Sequence, residues 1–383
     1  MKETLIARTR EFQERLGAAG IDVAVLTDED SISWLGGFWG YLGIEFGRPT
    51  VMLVPRNSEP IVITPLMETE MVSEMTWVQD VRSWEDAKGP VHWDAILDVA
   101  LGALRAETIG VEKLKLPALV SDHFGGSSAL SDVNPILSEM RMIKSAEEIA
   151  IMRQAGQIAI AMVDGGKNAL AEGVQEYEVA LAIIAAGTRA AAGFLTDTGF
   201  DAFISPTVHN LQVFQSGQHT SMVHRRSSVR QLQAGDPVYM CFCGMVNFRQ
   251  YKLGFDREFF ITSCTDEEAK TYEVCTAAQQ AALDAIRPGA IAEHVHEAAN
   301  EVYQSAGFSP GYRTGRAVGI SNLESPELKA GDRTVLQPGM TFAVDGGITI
   351  PGKFGARIGD SIVVTDTGFE YLTPYPKGLA IIS

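Results

Sequence analysis

The segment Ser145–Glu148 (SAEE) is the feature that most restricts how this chain can fold. Ser145 is a favourable N-cap residue, and Glu148 follows three positions later, which is the spacing of a capping box. The apolar periodicity after it, EIAIMRQAGQIAIAMV, predicts a long helix that begins here. Because 383 residues are too many for one ordinary core, this start also indicates a domain boundary. We therefore predict two domains, residues 1–143 and 144–383.

The two parts of the chain differ in how strands and helices follow one another. Before the boundary, strand-like runs (VAVL, TVMLVP, PIVITP, TIGVE) alternate with helical ones such as DAILDVALGALRA, which predicts an α/β domain. After it, long helices separate strands that lie far apart in sequence: VYMCFCG, DREFFIT, TFAVDGGI and DSIVVT. This arrangement predicts an α+β domain with a long-range antiparallel sheet.

Charge and composition exclude several classes of partner. The formal net charge of −17 argues against nucleic acid, whose backbone repels an acidic surface. No apolar run reaches the ~18 residues that a membrane helix needs, so we expect no membrane. Four cysteines in a chain of this length do not form a disulfide framework, and the N-terminal segment lacks the apolar core of a secretory signal. We expect a cytoplasmic protein.

A few residues have the chemistry of a site, although each also has an ordinary explanation. Cys241 and Cys243 point to one face of a strand, as buried structural cysteines or as part of a metal or thiol site. Asp256 and Asp345 lie in or beside apolar strands, where a carboxylate is costly unless it is paired or has a function. Asp256 could pair with Arg257 or with a nearby lysine, and Asp345 could cap the Gly346-Gly347 turn. His224 could be a solvated loop histidine.

Six short motifs resemble those of a known superfamily. They are FGRP (46–49), MRMIKSAEE (140–148), EYEVALA (176–182), FQSG (214–217), GD (235–236) and QPGMTF (337–342). Together they are similar to the creatinase, prolidase and aminopeptidase P superfamily, whose catalytic domain has the pita-bread fold. FGRP, MRMIKSAEE and the histidine after FQSG look most like creatinase, whereas RTGRAVGIS and GDRTVLQPGMTF look more like ectoine hydrolases. The resemblance implies an α/β N-terminal domain and an α+β pita-bread catalytic domain.

The metallopeptidases of this superfamily hold two metal ions with Asp, Asp, His, Glu and Glu. The matching positions here are Cys241, Gly254, Arg316, Asp345 and Gly359. A single carboxylate is left among five ligands, and divalent cations need several oxygen or imidazole ligands. We therefore predict no metal and no other cofactor.

The resemblance to creatinase instead implies a metal-free site. It assigns proton transfer to His224 and a cation-binding role to Asp256 and Asp345, where creatinase has two glutamates. It also implies a homodimer in which Phe46 and Arg48 of one subunit reach the substrate carboxylate bound by the other. A planar guanidinium suits paired carboxylates, and an imidazole can both accept and donate a proton near neutral pH.

Departures from creatinase point to a different substrate. Arg313, Arg316 and Arg357 add positive charge, and we expect them to contact an anionic group. Cys241 stands where some ectoine hydrolases have a glutamate, so a thiol nucleophile is a further possibility.

The predicted function is a metal-independent hydrolase of a non-peptide C–N bond in a small zwitterionic or carboxylate substrate, of the guanidino or amidino class. Opening of a cyclic amidine, a lyase reaction on a zwitterionic osmolyte, a metal-dependent Xaa-Pro dipeptidase and a non-catalytic binding protein are the alternatives.

Overall fold

The computed structural model describes residues 2–85, 92–198, 202–208, 214–242, 247–309 and 311–383. The chain forms two compact units, Met1–Met140 and Arg141–Ser383, and this division lies close to the predicted domain boundary. Cys243 of the cysteine pair lies outside the described residues.

The first unit is a mixed sheet flanked by helices. Its six strands lie in the order β4-β3-β2-β1-β5-β6, with both parallel and antiparallel neighbours. Apolar residues of the central strands pack with helix α5 into a buried core. The α/β prediction for this part is confirmed. The strands are β1 Val23–Leu26, β2 Val51–Pro55, β3 Ile61–Pro65, β4 Asp80–Trp84, β5 Ile109–Val111 and β6 Ser131–Asp132. The helices are α1 Lys2–Ala18, α2 Glu29–Gly36, α3 Tyr41–Phe46, α4 Thr69–Met75, α5 Trp93–Leu104, α6 Ala118–His123 and α7 Asn134–Arg141.

The second unit is a nine-stranded sheet with long helices. Seven strands follow the order β11-β10-β12-β13-β9-β8-β7, while β14 pairs with β13 and β15 with β9. The helices are α8 Ala146–Ala169, α9 Glu176–Thr198, α10 Asp266–Ala285 and α11 Ala292–Ser305. The strands are β7 Phe214–Ser216, β8 Pro237–Cys241, β9 Asp256–Ile261, β10 Gly315–Ala317, β11 Glu324–Leu328, β12 Thr341–Ile350, β13 Phe354–Val364, β14 Phe369–Tyr371 and β15 Ile381–Ile382. The α+β prediction is confirmed.

The predicted capping box begins helix α8. The Ser145 side chain accepts a hydrogen bond from the backbone of Glu148, and the Glu148 side chain accepts one from the backbone of Ser145. A second capping box, Thr265 with Glu268, begins α10. By length and composition alone, one described helix (Glu176–Asp197) could also cross a membrane, a test that buried core helices pass as well.

The two faces of the long hairpin β12–β13 have opposite characters. Phe342, Val344 and Ile358 face helices α10 and α11 and form the core of the unit with them. Because neighbouring residues of a strand alternate between faces, Asp345 and Gly359 lie on the opposite face. The helices thus support the sheet from behind, and the candidate chemistry lies in front; we call this front face the site face.

Candidate active site

One row of paired residues crosses four strands of the site face. Asp345 of β12 lies opposite Gly359 of β13, Gly359 lies opposite Asp256 of β9, and Asp256 lies opposite Cys241 of β8. Directly opposed residues project from the same face of a sheet. Three of the four predicted catalytic residues are therefore neighbours on one surface, although they are separated by many residues in sequence.

Gly359 forms the floor between the two carboxylates. A Cβ atom at this position would lie 2.7 Å from Asp256 Oδ2 and 2.8 Å from Asp345 Oδ1. Real Cβ atoms do not approach other atoms so closely, so any side chain here would have to displace one carboxylate. The glycine is what allows the two aspartates to converge.

Asp345 is held on one side by an arginine. Nη1 of Arg316 donates to Asp345 Oδ2 over 3.0 Å, and its Nε donates to the carbonyl oxygen of Asn322. The Asp345 side chain is 29% exposed, yet Oδ1 is buried without a hydrogen-bond partner. Desolvation raises the pKa of Asp345, although Arg316 and Arg313 oppose this shift. The alternative explanation of Asp345 as a turn cap does not apply, because β12 continues through Gly346 and Gly347 to Ile350.

Asp256 is buried and does not use Arg257 as its ion-pair partner. Arg257 points to the helix face, where its Nη2 donates to Asp360 over 2.7 Å. Its other donors reach backbone carbonyls, including that of Gly359. The simple pairing of Asp256 with its neighbour is therefore replaced by a structural network on the opposite side of the sheet. Cys241 is buried next to Tyr239.

His224 lies on an exposed loop after the 3₁₀ helix Gly217–Ser221. It makes no hydrogen bond or ion pair with the residues that the structure describes. Gln215 of β7 lies opposite Tyr239, in the row next to the Cys241 row, and its side chain bonds to the carbonyls of Met222 and Arg225. The loop is therefore fixed to the site face, although the imidazole makes no hydrogen bond or ion pair with either aspartate.

The other predicted substrate-binding residues are less central. Arg313 forms an ion pair with Glu327, and the Arg357 guanidinium bonds to Ile348 O, Ala356 O and Thr349 Oγ1. Phe46, which is 58% exposed, and the exposed Arg48 lie in the first unit, at the end of α3 and just beyond it. Their predicted roles remain predictions.

The donor atoms of this site do not suit a dinuclear metal centre. Of the five positions that the resemblance gives to metal ligands, Gly254 and Gly359 have no side chain, and Arg316 brings a positive charge against Asp345. The two carboxylates also occupy the space that a ligand side chain at position 359 would need. Among the described residues, no group of three or more His, Cys, Asp or Glu side chains is arranged to hold a metal ion.

Sequence reasoning missed Glu258, which lies two residues after Asp256 on the same face of β9. It is 2% exposed, and its Oε2 accepts a hydrogen bond from the backbone of Arg357, while Oε1 is buried without a partner. Desolvation raises the pKa of Glu258 to about 8. The strand period of two in DREFFI was the available signal, because it places residues 256 and 258 side by side.

Comparisons with known proteins agree with this architecture. The sequence pattern of the Creatinase/Prolidase N-terminal domain matches residues 8–143, and that of Metallopeptidase family M24 matches residues 150–366. The agropine synthesis cyclase of Rhizobium rhizogenes is 31% identical over 98% of this chain and 97% of that protein. The Xaa-Pro dipeptidase of Lactobacillus helveticus is 27% identical over 97% of this chain and 98% of that protein.

A solved structure shows the same fold throughout. Dipeptidase PepE from Mycobacterium ulcerans superposes with a TM-score of 0.80 at 27% identity, over 99% of this chain and 98% of that one. The pita-bread fold predicted for the second domain is thereby confirmed, as is the α/β domain before it. The chain belongs to Metallopeptidase family M24 and carries a Creatinase/Prolidase N-terminal domain.

Proposed function

We propose that this member of family M24 is a metal-independent enzyme that hydrolyses a non-peptide C–N bond in a small guanidino or amidino carboxylate. The observation that carries the proposal is the convergence of Asp256 and Asp345 over Gly359. Two carboxylate oxygens directed at one point favour a planar cation with several N–H donors, which can bond to both aspartates at once. Arg316 keeps Asp345 oriented for this contact.

The residues of the site divide the chemistry between them. Asp256 and Asp345 would bind the N–H groups of the cation and concentrate positive charge on its central carbon. His224 would take a proton from water as the water oxygen bonds to that carbon, and would return the proton to the nitrogen as the C–N bond breaks. The net change is the addition of one water, with no redox step. Cys241 would pack beside the reacting carbon.

The remaining parts of the proposal concern the assembly. We propose a homodimer in the cytoplasm, in which the partner subunit's Phe46 and the partner subunit's Arg48 contact the substrate carboxylate. Exposure of Phe46 beside the nearby ring of Tyr41, at a centroid distance of 5.8 Å, supports an apolar surface that another chain could cover. A binding-only protein and a lyase remain alternatives that product analysis separates.

A second candidate function is the opening or closing of a ring. It is favoured by the 31% identity with a protein named for a cyclase activity. Hydrolytic ring opening of a cyclic amidine breaks the same kind of C–N bond, so the same residues would serve. A metal-dependent Xaa-Pro dipeptidase, as the names of other relatives suggest, finds no matching ligand set among the described residues.

The decisive experiment combines metal analysis with a substrate panel. Purified protein, with and without chelator treatment, is incubated with creatine, ectoine and alanyl-proline, and the products are identified by mass spectrometry. We expect water addition to creatine or ectoine at a rate that chelation does not change. Cleavage of alanyl-proline alone, restored by Mn²⁺ or Co²⁺ after chelation, would overturn the proposal. Release of an alkene-containing fragment would establish the lyase instead.

The role of His224 has its own test within the same assay. His224→Ala should lower turnover by roughly 10²-fold or more, because a positioned general acid–base contributes about that much. Undiminished turnover would remove His224 from the mechanism while leaving the carboxylate pair in place.

A further inference from the structure

Two sequence motifs without assigned chemistry meet at the base of the His224 loop. Glu176 is the first residue of α9, and Gln215 lies in β7. We propose that Gln215 and Arg225 are positioning residues that, with Glu176, hold this loop in the geometry that His224 needs for proton transfer. The inference rests on the proposed role of His224, and it assigns the residues that make that role geometrically possible.

Gln215 closes the base of the loop with a single amide group. Its side chain is fully buried, and Nε2 donates to the carbonyl oxygen of Met222 over 2.6 Å and to that of Arg225 over 2.7 Å. The two carbonyls lie on either side of Val223 and His224. The separation of the loop ends is therefore set by the two N–H groups of one amide in β7.

Arg225 anchors the same loop from the other side. Its Nη1 donates to both carboxylate oxygens of Glu176, over 3.1 and 3.0 Å, and its Nη2 donates to Ser228 Oγ over 2.8 Å. Burial opposes ionisation of Glu176, but hydrogen bonds from Ser216, Ser228 and Arg225 outweigh it and lower the pKa of the carboxyl. The anchor therefore keeps its negative charge at neutral pH, and the ion pair persists.

A second ion pair lies after the loop and is hydrogen-bonded to the segment that precedes the loop. Arg230 donates to both oxygens of Asp236, over 2.6 and 2.9 Å, and also to Ser216 Oγ. Gly217 has a φ of +59°, and a Cβ atom there would lie 2.7 Å from Asp236 Oδ1. The FQSG and GD motifs therefore belong to the support of the loop.

The base of the loop and its tip differ in burial. Met222, Val223 and His224 are exposed, whereas the groups that hold the loop are buried or half-buried. A purely structural network would not need to end beside a titratable side chain. A displacement of a catalytic group by about 1 Å can cost ~10²-fold in rate, so the base has a direct effect on an acid–base residue.

The first test measures how strongly Arg225 holds the loop, and it needs no substrate. Arg225→Lys keeps the charge but loses the two-sided contact, and Arg226→Lys is the matched control because Arg226 is exposed. Hydrogen–deuterium exchange is followed at the amides of Met222 and Arg225, which donate within the loop. We expect at least ~tenfold faster exchange in Arg225→Lys only, with β8 unchanged. Wild-type exchange rates in Arg225→Lys would overturn the inference.

The second test measures catalysis on creatine and ectoine, whichever the wild type turns over. We expect kcat of Arg225→Lys to fall at least ~tenfold with KM within about twofold, and no change in Arg226→Lys. In a His224→Ala background the same substitution should have no further effect, since it acts through His224. An equal loss in both backgrounds, or an unchanged kcat, would overturn the positioning role. Gln215→Met, which keeps the volume and removes both donors, replaces Arg225→Lys if that variant does not fold.

The two proposals can fail separately. If the wild type turns over neither compound, the proposed function fails. The exchange experiment still decides whether Arg225 holds the loop in place. If His224→Ala is inactive but Arg225→Lys and Gln215→Met are as active as the wild type, only the positioning inference fails.

Discussion

Asp256 and Asp345 direct carboxylate oxygens at the same point above Gly359, from the two strands that flank it. A Cβ atom at that point would lie 2.7 Å from one oxygen and 2.8 Å from the other. Two carboxylates that converge on one point repel unless a cation or a proton lies between them. Arg316 contacts only Oδ2 of Asp345, which leaves the buried Oδ1 facing Asp256.

A methyl group at position 359 should therefore impair binding of the cationic substrate. Gly359→Ala would place its Cβ against both carboxylates and push one of them aside. We expect KM for creatine or ectoine to rise at least ~tenfold, because a lost charge-assisted hydrogen bond costs about 1.5–3 kcal/mol. Steady-state kinetics over a range of substrate concentrations measures the change.

The control for this substitution is Gly368→Ala, because a Cβ atom at position 368 meets no other atom within 4 Å. Unchanged KM in both variants would show that the two aspartates do not bind the cation together.

Removal of the Arg316 guanidinium should shift the pH range of substrate binding. Burial already raises the pKa of Asp345, and Arg316 opposes that shift. In Arg316→Leu the pKa of Asp345 should rise further, so the carboxylate forms only at higher pH. We expect the acidic limb of kcat/KM against pH to move to higher pH, because a protonated Asp345 attracts the cation poorly.

The comparison variant is Arg313→Leu, since Arg313 forms its ion pair with Glu327 and has a smaller effect on Asp345. If Arg313→Leu moved the acidic limb of kcat/KM as far as Arg316→Leu does, the dominant role of Arg316 would be contradicted. An acidic limb at the wild-type position in Arg316→Leu would show that Asp345 ionisation does not control binding.

The sequence predicted the order of elements well because periodicity and capping are local properties. Ser145 and Glu148 begin α8 as expected, and the strand at Val23–Leu26 has the predicted bounds. Periodicity could not predict the row of Asp345, Gly359, Asp256 and Cys241, because the row depends on the register of strands far apart in sequence. Only the resemblance to creatinase and the related metallopeptidases assigned these positions to one site.

The same limit explains the errors at individual residues. Arg257 follows Asp256 in the sequence, but strand alternation sends it to the other face and to Asp360. Glu258 and Gln215 were not recognised, because their importance comes from burial and from partners in other strands or loops.

Loss of the Asp360 carboxylate should weaken the fold through the helix face of the sheet. Asp360 is fully buried, and it accepts hydrogen bonds from Arg257 and from Gln279. Asp360→Ala would leave the buried Arg257 without its counter-ion, which typically costs about 3–5 kcal/mol. Chemical denaturation should show this loss, while the exposed Asp366→Ala should change the unfolding free energy little. If Asp360→Ala lowered the unfolding free energy by less than ~1 kcal/mol, the backbone carbonyls alone would satisfy the hydrogen-bond donors of Arg257.

Ionisation of Glu258 should make the protein less stable as the pH rises. The folded-state pKa is about 8 and the ordinary value is 4.5, so between these limits the folded state keeps a proton that the unfolded state releases. Because the unfolded state binds fewer protons in this window, the unfolding free energy falls as pH increases, and the loss is complete above pH 8.

Glu258→Gln removes this titration and keeps an acceptor for the backbone N–H of Arg357. We expect the variant to gain stability relative to the wild type as the pH rises through that window, by on the order of a few kcal/mol in total. Denaturation at several pH values measures the difference. In the control Glu273→Gln, at an exposed residue, the unfolding free energy should change with pH as it does in the wild type. If the difference in unfolding free energy between Glu258→Gln and the wild type did not change with pH, Glu258 would have the same proton occupancy in the folded and unfolded states. The buried carboxyl would then be ionised beside Asp256, and the cation would meet three negative charges on the site face rather than two.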